Sequence, residues 1–362
     1  MSPWNSPVVL RRAWCLWEIF CSINAGEKVN FQICLPTSER TALKKGISEN
    51  FNSILDALIA MDAQNAQAVN PKDRDMIFAV IKKECGFDVL NNMVKDQLRK
   101  WYVETGADIA DVIIQEGGGE SESKEFLKFL YNLGNALDDF GNYDRAIYFL
   151  EVGLKIELSV NGEKYTGAYL NALGIAYNSK GEYDLAIDYY ECALKIKVAS
   201  LGEDHPDVAS SYNNLGLAYG NKGNYDKAIN YYERALKITV ASLGENHPSV
   251  ASSYNNLGVA HKNKGEFDKA IDYYERALKI RVASLGEDHP SVASSYNNLG
   301  NTYITVGKFD IAIEFLEKAL TIKMDTFGED HPETKKVRNN IVRAKKAKAE
   351  SSNTQGCKCV IS

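Results

Sequence analysis

Over most of the chain, apolar side chains recur at three- and four-residue spacing, the signature of amphipathic helices. Between Val208 and Pro248 this spacing resolves into two helices. The first carries Tyr212, Leu215, Gly216 and Tyr219 and stops near Gly223, a residue suited to the left-handed turn after a helix end. The second sets Ala228, Tyr232 and Ala235 at i, i+4 and i+7, so small and large residues alternate on one face. The small residues let paired helices approach closely. The same block returns after 42 residues with Tyr254, Leu257, Gly258, Ala270, Tyr274 and Ala277, and again with Tyr296, Leu299, Gly300, Tyr303, Ala312, Leu316 and Ala319. Upstream, Leu173, Gly174, Tyr177, Ala186, Tyr190 and Ala193 form another copy, and Leu133, Gly134, Leu137, Ala146 and Leu150 a more divergent one. A unit of this size cannot bury its apolar face alone, so the copies are expected to stack into a solenoid with a long concave wall. Binding is the use such a wall suggests.

The order of large residue, Leu, Gly, Tyr, Ala, aromatic and Ala resembles the tetratricopeptide repeat. That resemblance implies an all-α, right-handed superhelix of about five helix-turn-helix repeats over residues 124–332, with a capping helix at 333–350. The usual unit has about 34 residues, with Pro near the end of its second helix. Val240 replaces that Pro here, so the second helix is predicted to run on through Ile238 and Leu243 to the connection L-G-E-N-H-P. A 42-residue unit with this connection is similar to the kinesin light chain subgroup. In the connections, His205, His247, His289 and His331 each precede a Pro. Equivalent residues on stacked units sit roughly 8–10 Å apart, too far to share a zinc ion, so His and Pro are read as helix caps and no metal site is expected. His261 stands where sister units have Tyr219 and Tyr303, and is expected to be buried and hydrogen-bonded.

The resemblance places the first helix of each unit on the concave wall, with Asn171, Asn213, Asn255 and Asn297 along it. An amide both donates and accepts, so this ladder is the candidate grip on an extended peptide backbone. Asn221, Asn263, Asn301 and Lys262 complete the candidate peptide-binding set, while Asn214, Asn256 and Asn298 are expected to tie neighbouring units together. The wall reads as polar and nearly neutral, which sets it apart from grooves that take acidic peptides. Asp138 and Asp139, adjacent on a helix, do not face each other and are read as solvated charges.

The two ends differ from the repeats. Residues 1–36 hold an apolar helix, R-R-A-W-C-L-W-E-I-F, and an alternating strand through Val29, Phe31, Ile33 and Leu35. The run from Arg12 to Ile19 looks like the late Trp-Cys-x-x-Glu box of Toll/interleukin-receptor-like domains, whose early strands are missing, which suggests a truncated fragment. In members that cleave NAD this resemblance implies a catalytic role for Glu18, available only to an intact domain. Residues 37–116 read as a helical region, with one stripe of Phe51, Ile54, Leu55, Leu58 and Ile59 and another of Val89, Leu90, Met93, Val94, Leu98 and Trp101. Gly117, Gly118 and Gly119 open a flexible linker over 117–123. At the other end, Cys359-Val360-Ile361-Ser362 is a C-a-a-X box whose Ser favours farnesyl transfer, similar to Ras-type tails. One lipid holds a membrane only marginally, so Cys357 is a candidate palmitoyl site. Lys335, Lys336, Arg338, Arg343, Lys345, Lys346 and Lys348 are a candidate anionic-lipid patch, and 351–362 a flexible tail.

Composition changes the picture little. With 42 basic and 48 acidic residues the net charge is −6, which argues against a general nucleic-acid partner. Seven scattered cysteines suggest neither disulfides nor zinc, and no phosphate-cradling loop or nucleophile elbow occurs. The chain therefore reads as a non-enzymatic adaptor without cofactor, cytoplasmic and held peripherally at a membrane by its lipid. The alternatives are a remnant of a Toll/interleukin-receptor-like NAD hydrolase and a kinesin light chain-type cargo subunit.

Overall fold

A computed structural model describes residues 71–84, 87–116, 124–160 and 165–358. The expectations for 1–36 with Glu18, for the stripe from Phe51 to Ile59, for the linker at 117–123 and for Cys359 lie outside these residues. Among the described residues all regular structure is helical, in thirteen helices, as the repeat pattern predicts. The chain divides into two compact units, Met1–Glu182 and Tyr183–Ser362.

The first unit holds α1 (Pro71–Glu84), α2 (Phe87–Glu116), α3 (Lys124–Asp139), α4 (Tyr143–Val160) and α5 (Thr166–Lys180). From the stripe predicted on α2, Leu90 and Val94 are buried, and the unpredicted Tyr102 joins them as one of the largest side chains wholly out of solvent. Arg145 of α4 reaches Asp111 of α2 at 2.6 Å. In the most divergent repeat, α3 and α4 meet where a Cβ added to Gly134 would lie 2.5 Å from Leu150. Sequence reading missed a second close approach, in which Gly153 lies under the Tyr169 ring.

The second unit holds α6 (Tyr183–Leu201), α7 (Pro206–Asn221), α8 (Tyr225–Leu243), α9 (Pro248–Lys264), α10 (Phe267–Leu285), α11 (Pro290–Thr305), α12 (Phe309–Phe327) and α13 (Pro332–Lys358). Each packs against the next in sequence, and α11 also touches α13. The second helices end at Leu243, Leu285 and Phe327, the two extra turns that loss of the terminal Pro predicts. The last helix continues to Lys358, past the expected end at residue 350, so the segment read as a tether is helical up to that point.

Each helix boundary has a local cause. Pro206, Pro248 and Pro290 sit in the first turn, where a missing N–H costs nothing. The preceding histidine caps the helix, since the backbone N–H of Ser249 donates to His247 Nδ1 at 3.2 Å and that of Ser291 to His289 Nδ1 at 3.1 Å. His205 and His331 do the same for α7 and α13. Each ring uses one nitrogen as acceptor from its own helix, so the four histidines serve four separate caps. At the other end, the turn glycine Gly223 has φ +86°, in the left-handed region.

Within a repeat a glycine of the first helix lies against a large side chain of the second. A Cβ on Gly258 would lie 2.6 Å from the Tyr274 ring, and one on Gly216 would lie 2.7 Å from Tyr232. Beside this contact runs an aromatic stack. Tyr231 is flanked by Tyr212 and Tyr219, Tyr273 by Tyr254 and His261, and Phe315 by Tyr296 and Tyr303. Gly258→Ala is expected to destabilise the second unit by about 2 kcal/mol, because the Tyr274 ring is fully packed and has nowhere to move. Gly220→Ala is the control. Its Cβ would meet only Ala228 at 3.8 Å, so helix propensity should make it neutral to about 1 kcal/mol stabilising in a urea titration.

Candidate functional site

The first helices of successive repeats in the second unit, α7, α9, α11 and α13, form one face. Side-chain amides join α9 to α11 and α11 to α13. Asn298 Nδ2 donates to Asn255 Oδ1 at 2.9 Å, and Asn340 Nδ2 donates to Asn297 Oδ1 at 2.9 Å. The two asparagine ladders are therefore one network, in which the first Asn of a pair accepts from the second Asn of the following repeat. Asn213 is the exception, since its buried Oδ1 has no hydrogen-bond partner among the described residues. Asn171 is half-buried in the first unit.

The remaining candidates divide by exposure. Asn221 and Asn263 are open to solvent at the helix ends. Asn301 is engaged on both sides: its Nδ2 donates to the Asn297 carbonyl at 2.8 Å, and its Oδ1 accepts from Arg343 Nη2 at 2.6 Å. Lys262 is half-buried, and loss of water together with the nearby Arg343 guanidinium pushes its ammonium pKa below the usual lysine value. Sequence reading placed Arg343 in a patch facing lipid. The structure turns it toward the face shared by Asn301 and Lys262.

One row along this face shows a gradation. Leu217, Val259, Asn301 and Arg343 occupy the same register in successive repeats, 42 residues apart. Leu217 is 46% exposed and Val259 39% exposed, so the row begins with two uncovered apolar side chains and ends with an amide and a cation. The signal was in the sequence, at a position adjacent to the ones singled out there.

Most of the expected basic patch on α13 is neutralised. Lys335 pairs with Asp330, Arg338 with Glu329, Lys345 with Glu317, Lys346 with Glu350, and Lys348 with Asp310. Exposed pairs contribute little stability, but each removes a free positive charge from any lipid-facing surface. The Lys348 pair repeats one made by Lys222 with Asp184 and by Lys264 with Asp226, so it belongs to the repeat.

His261 is buried, as its position predicts, with Nδ1 2.8 Å from Glu266 and its ring stacked on Tyr273 at 5.2 Å. Tyr219 and Tyr303 instead reach back to Glu191 and Glu275 of the preceding repeat. The shorter imidazole turns to its own helix end, leaving its buried Nε2 without a hydrogen bond among the described residues. Hydrogen bonds from Lys264, Lys269 and His261 hold the Glu266 carboxyl down to about 2. In the first unit, Asp138 accepts from Ser179 Oγ at 3.3 Å while Asp139 is exposed, so the two carboxylates point to different surroundings. Among the described residues no three His, Cys, Asp or Glu side chains cluster to hold a metal, and no helix is long and apolar enough to cross a membrane.

The sequence profile of the tetratricopeptide repeat matches residues 165–239, 219–281, 249–325 and 292–350. Among solved structures, BtubC (BKLC) from P. vanneervenii is 26% identical, with a TM-score of 0.53 over 64% of this chain and 94% of that one. The nearly identical TPR-like repeats of a Podosopora anserina protein assigned as a kinesin light chain are 25% identical, with a TM-score of 0.50 over 56% of this chain and 96% of that one. A single-substitution form of the same repeats gives a TM-score of 0.51 at 25% identity, over 58% of this chain and 99% of that one. No curated protein matches the chain.

Because Asn255 and Asn297 accept hydrogen bonds across repeats, each is expected to cost about 1 kcal/mol of stability when changed to Ala. A double-mutant cycle of Asn255→Ala with Asn298→Ala should show a coupling of about 0.5–1 kcal/mol, since either change alone breaks the same bond. Additive losses would mean that the bond contributes nothing.

Proposed function

The chain belongs to the tetratricopeptide repeat family, and on that premise we propose that it is a non-enzymatic adaptor gripping an extended segment of a partner protein on its first-helix face. The observation that carries this reading is the row of uncovered Leu217 and Val259 beside a network of amides. Exposed apolar side chains flanked by polar groups able to bond a peptide backbone are what a linear segment needs. Asn221 and Asn263 are exposed beside this network. The similarity to kinesin light chain-like repeats supports protein binding in general, and co-purification with a motor heavy chain tests the narrower cargo-subunit reading.

The test uses the full chain as bait in extract from its native cells, against a Leu217→Ser, Val259→Ser variant. Both side chains are substantially exposed, so the variant should melt within about 2 °C of the parent. A partner captured by the parent should be reduced at least about fivefold with the variant, the effect of losing roughly 1 kcal/mol of apolar contact. Equal capture by both would exclude this face.

Membrane tethering is a second, separate reading, supported by the C-a-a-X box at Cys359. Farnesyl transfer requires Ser362 to be the free carboxyl end. With so many α13 cations paired, a second attachment signal would fall to Cys357 rather than to charge. Intact-mass analysis of the C-terminal peptide from native cells should show one farnesyl group. An unmodified peptide removes the tether and leaves the adaptor reading untouched.

A further inference from the structure

The first helix of a repeat reaches back to the preceding repeat through a side-chain rung. Tyr219 Oη donates to Glu191 at 3.4 Å, Tyr303 Oη to Glu275 at 3.5 Å and Lys345 Nζ to Glu317 at 3.3 Å, each across 28 residues. Tyr177 makes the same contact with Glu151 in the first unit, at 2.9 Å. At the α8–α9 junction these two positions hold His261 and Glu233, and the rung is open. The imidazole sits where the phenols do: it stacks on Tyr273 at 5.2 Å and 16°, as Tyr219 stacks on Tyr231 at 5.5 Å and 11°. Glu233 is exposed and makes no hydrogen bond or ion pair among the described residues. Burial first, and the Glu233 carboxylate second, push the Tyr273 phenol above its usual pKa, in keeping with a place for Glu233 beside the stack.

The rung is open because neither side has a proton to give. Glu266, held down to about 2, is a carboxylate, so the proton of the His261–Glu266 bond sits on Nδ1. A neutral imidazole then has only a lone pair at Nε2, which is buried and unbonded. Two acceptors cannot bond each other, so Nε2 and Glu233 cannot make the contact that a phenol O–H makes elsewhere. One proton added at Nε2 turns it into a donor, and imidazole is the side chain that ordinarily changes charge between pH 5 and 8. The helices packed against α9 are α8 and α10. From α10 and its entry turn the ring meets Glu266, Lys269 and Tyr273, with Arg276 over the Tyr273 ring. From α8 come Glu233 and Asp226, the latter paired with Lys264, and α9 itself adds Lys262 and Lys264. The contact of α11 with α9 is the neutral Asn298–Asn255 pair.

We propose that His261 and Glu233 form a proton-operated latch between two repeats, open while the imidazole is neutral and closed once Nε2 is protonated. The exposed Glu233 side chain swings in to accept from Nε2–H, directly or through one water. The latch lies between the repeats that carry Leu217 and Val259, and it holds whatever that face binds. Only the protonated form gains the rung, so the added stability of this junction is present at the acid end and lost as pH rises. The other four histidines act in the opposite sense. His205, His247, His289 and His331 accept a helix N–H at Nδ1, and a proton there breaks the cap. Melting of the whole chain mixes the two signs, so a local measurement is needed.

Hydrogen–deuterium exchange of the full chain supplies it, read by mass spectrometry in the α8 and α9 peptides that contain Glu233 and His261. Rates are taken at about pH 8 and about pH 5.5, the span over which imidazole ordinarily titrates, each divided by that of an unstructured peptide at the same pH. In the parent, protection should rise at least about threefold at the lower pH, the effect of one added hydrogen bond. Glu233→Ala should stay open and show the low value at both. In Glu233→Gln the amide N–H can donate to the bare Nε2, so protection should be high at both, and His261→Tyr should match it by restoring the phenol. Glu233 is exposed, so its variants leave the core unchanged. Parent protection that ignores pH overturns the latch. So does a rise that persists in Glu233→Ala, which would assign the response to the His261–Glu266 pair alone. An imidazole 15N titration of His261, identified by the signal lost in His261→Tyr, should show Nε2 protonated at the lower pH, and a neutral ring there overturns the latch as well.

Discussion

The repeats depend on one close approach, a glycine of the first helix lying against a large side chain of the second, as at Gly134, Gly216, Gly258 and Gly300. At Gly216, Gly258 and Gly300 a Cβ would intrude within 3 Å of Tyr232, Tyr274 or Leu316. This distance is shorter than any methyl group tolerates, so the glycine sets how near the helices lie. Once they are that near, Ala228, Ala270 and Ala312 are driven wholly out of solvent, and the aromatic stack from Tyr212 to Tyr231 to Tyr219 closes beside them. Packing of that density leaves the paired helices little freedom to slide. The face they present outward is correspondingly stiff, and stiffness is what lets a groove select a segment without ordering itself on binding.

The same rigidity explains why the asparagines matter twice. First helices of adjacent repeats approach closely enough for amide to meet amide, and the resulting bonds fix the stagger of one repeat on the next. A residue in that position cannot be given wholly to a partner. Asn255 and Asn297 offer only what their cross-repeat bonds leave over, and the unbonded oxygen of Asn213 is buried out of a partner's reach. In the neighbouring row Leu217 and Val259 are exposed, whereas Asn301 and Arg343 are bonded to each other across repeats.

Much of the fold was legible in the sequence because each helix pair repeats its own explanation. The spacing of Tyr212, Leu215, Gly216 and Tyr219 gives the first helix. The loss of a terminal Pro gives the long second helix, and His-Pro gives the cap. The capping histidines required only the local reading that a side-chain acceptor before a Pro can serve the exposed N–H groups of a first turn. The site was less legible. Whether Arg343 faces lipid or the groove depends on the rotation of α13 against α11, which contact with Ile341, Ala344 and Val337 decides and charge alone does not. Pairing of Lys345 with Glu317 and of Lys348 with Asp310 likewise joins residues far apart in sequence. Counting basic residues on one helix overstated its charge because most of the neutralising carboxylates lie off it, Glu317 and Asp310 on α12 and Glu329 and Asp330 in the connection before α13.

Repeated residues say least about function in such a chain, and departures from the repeat say most. A copied asparagine is explained once by the stacking that every unit needs. Val259, Asn301 and Arg343 cannot be explained that way, since they stand in one structural position with three different chemistries. His261 and Lys262 are neighbours that both depart from their sister units, where Tyr219 and Gly220 stand in one and Tyr303 and Ile304 in the other. His261 has a structural account, for it preserves the stack on Tyr273 and finds Glu266. Lys262 is half-buried, and loss of water together with the nearby Arg343 guanidinium lowers its ammonium pKa. The departures from the repeat therefore gather on α9, α11 and α13, where one register position holds Val259, Asn301 and Arg343 in turn.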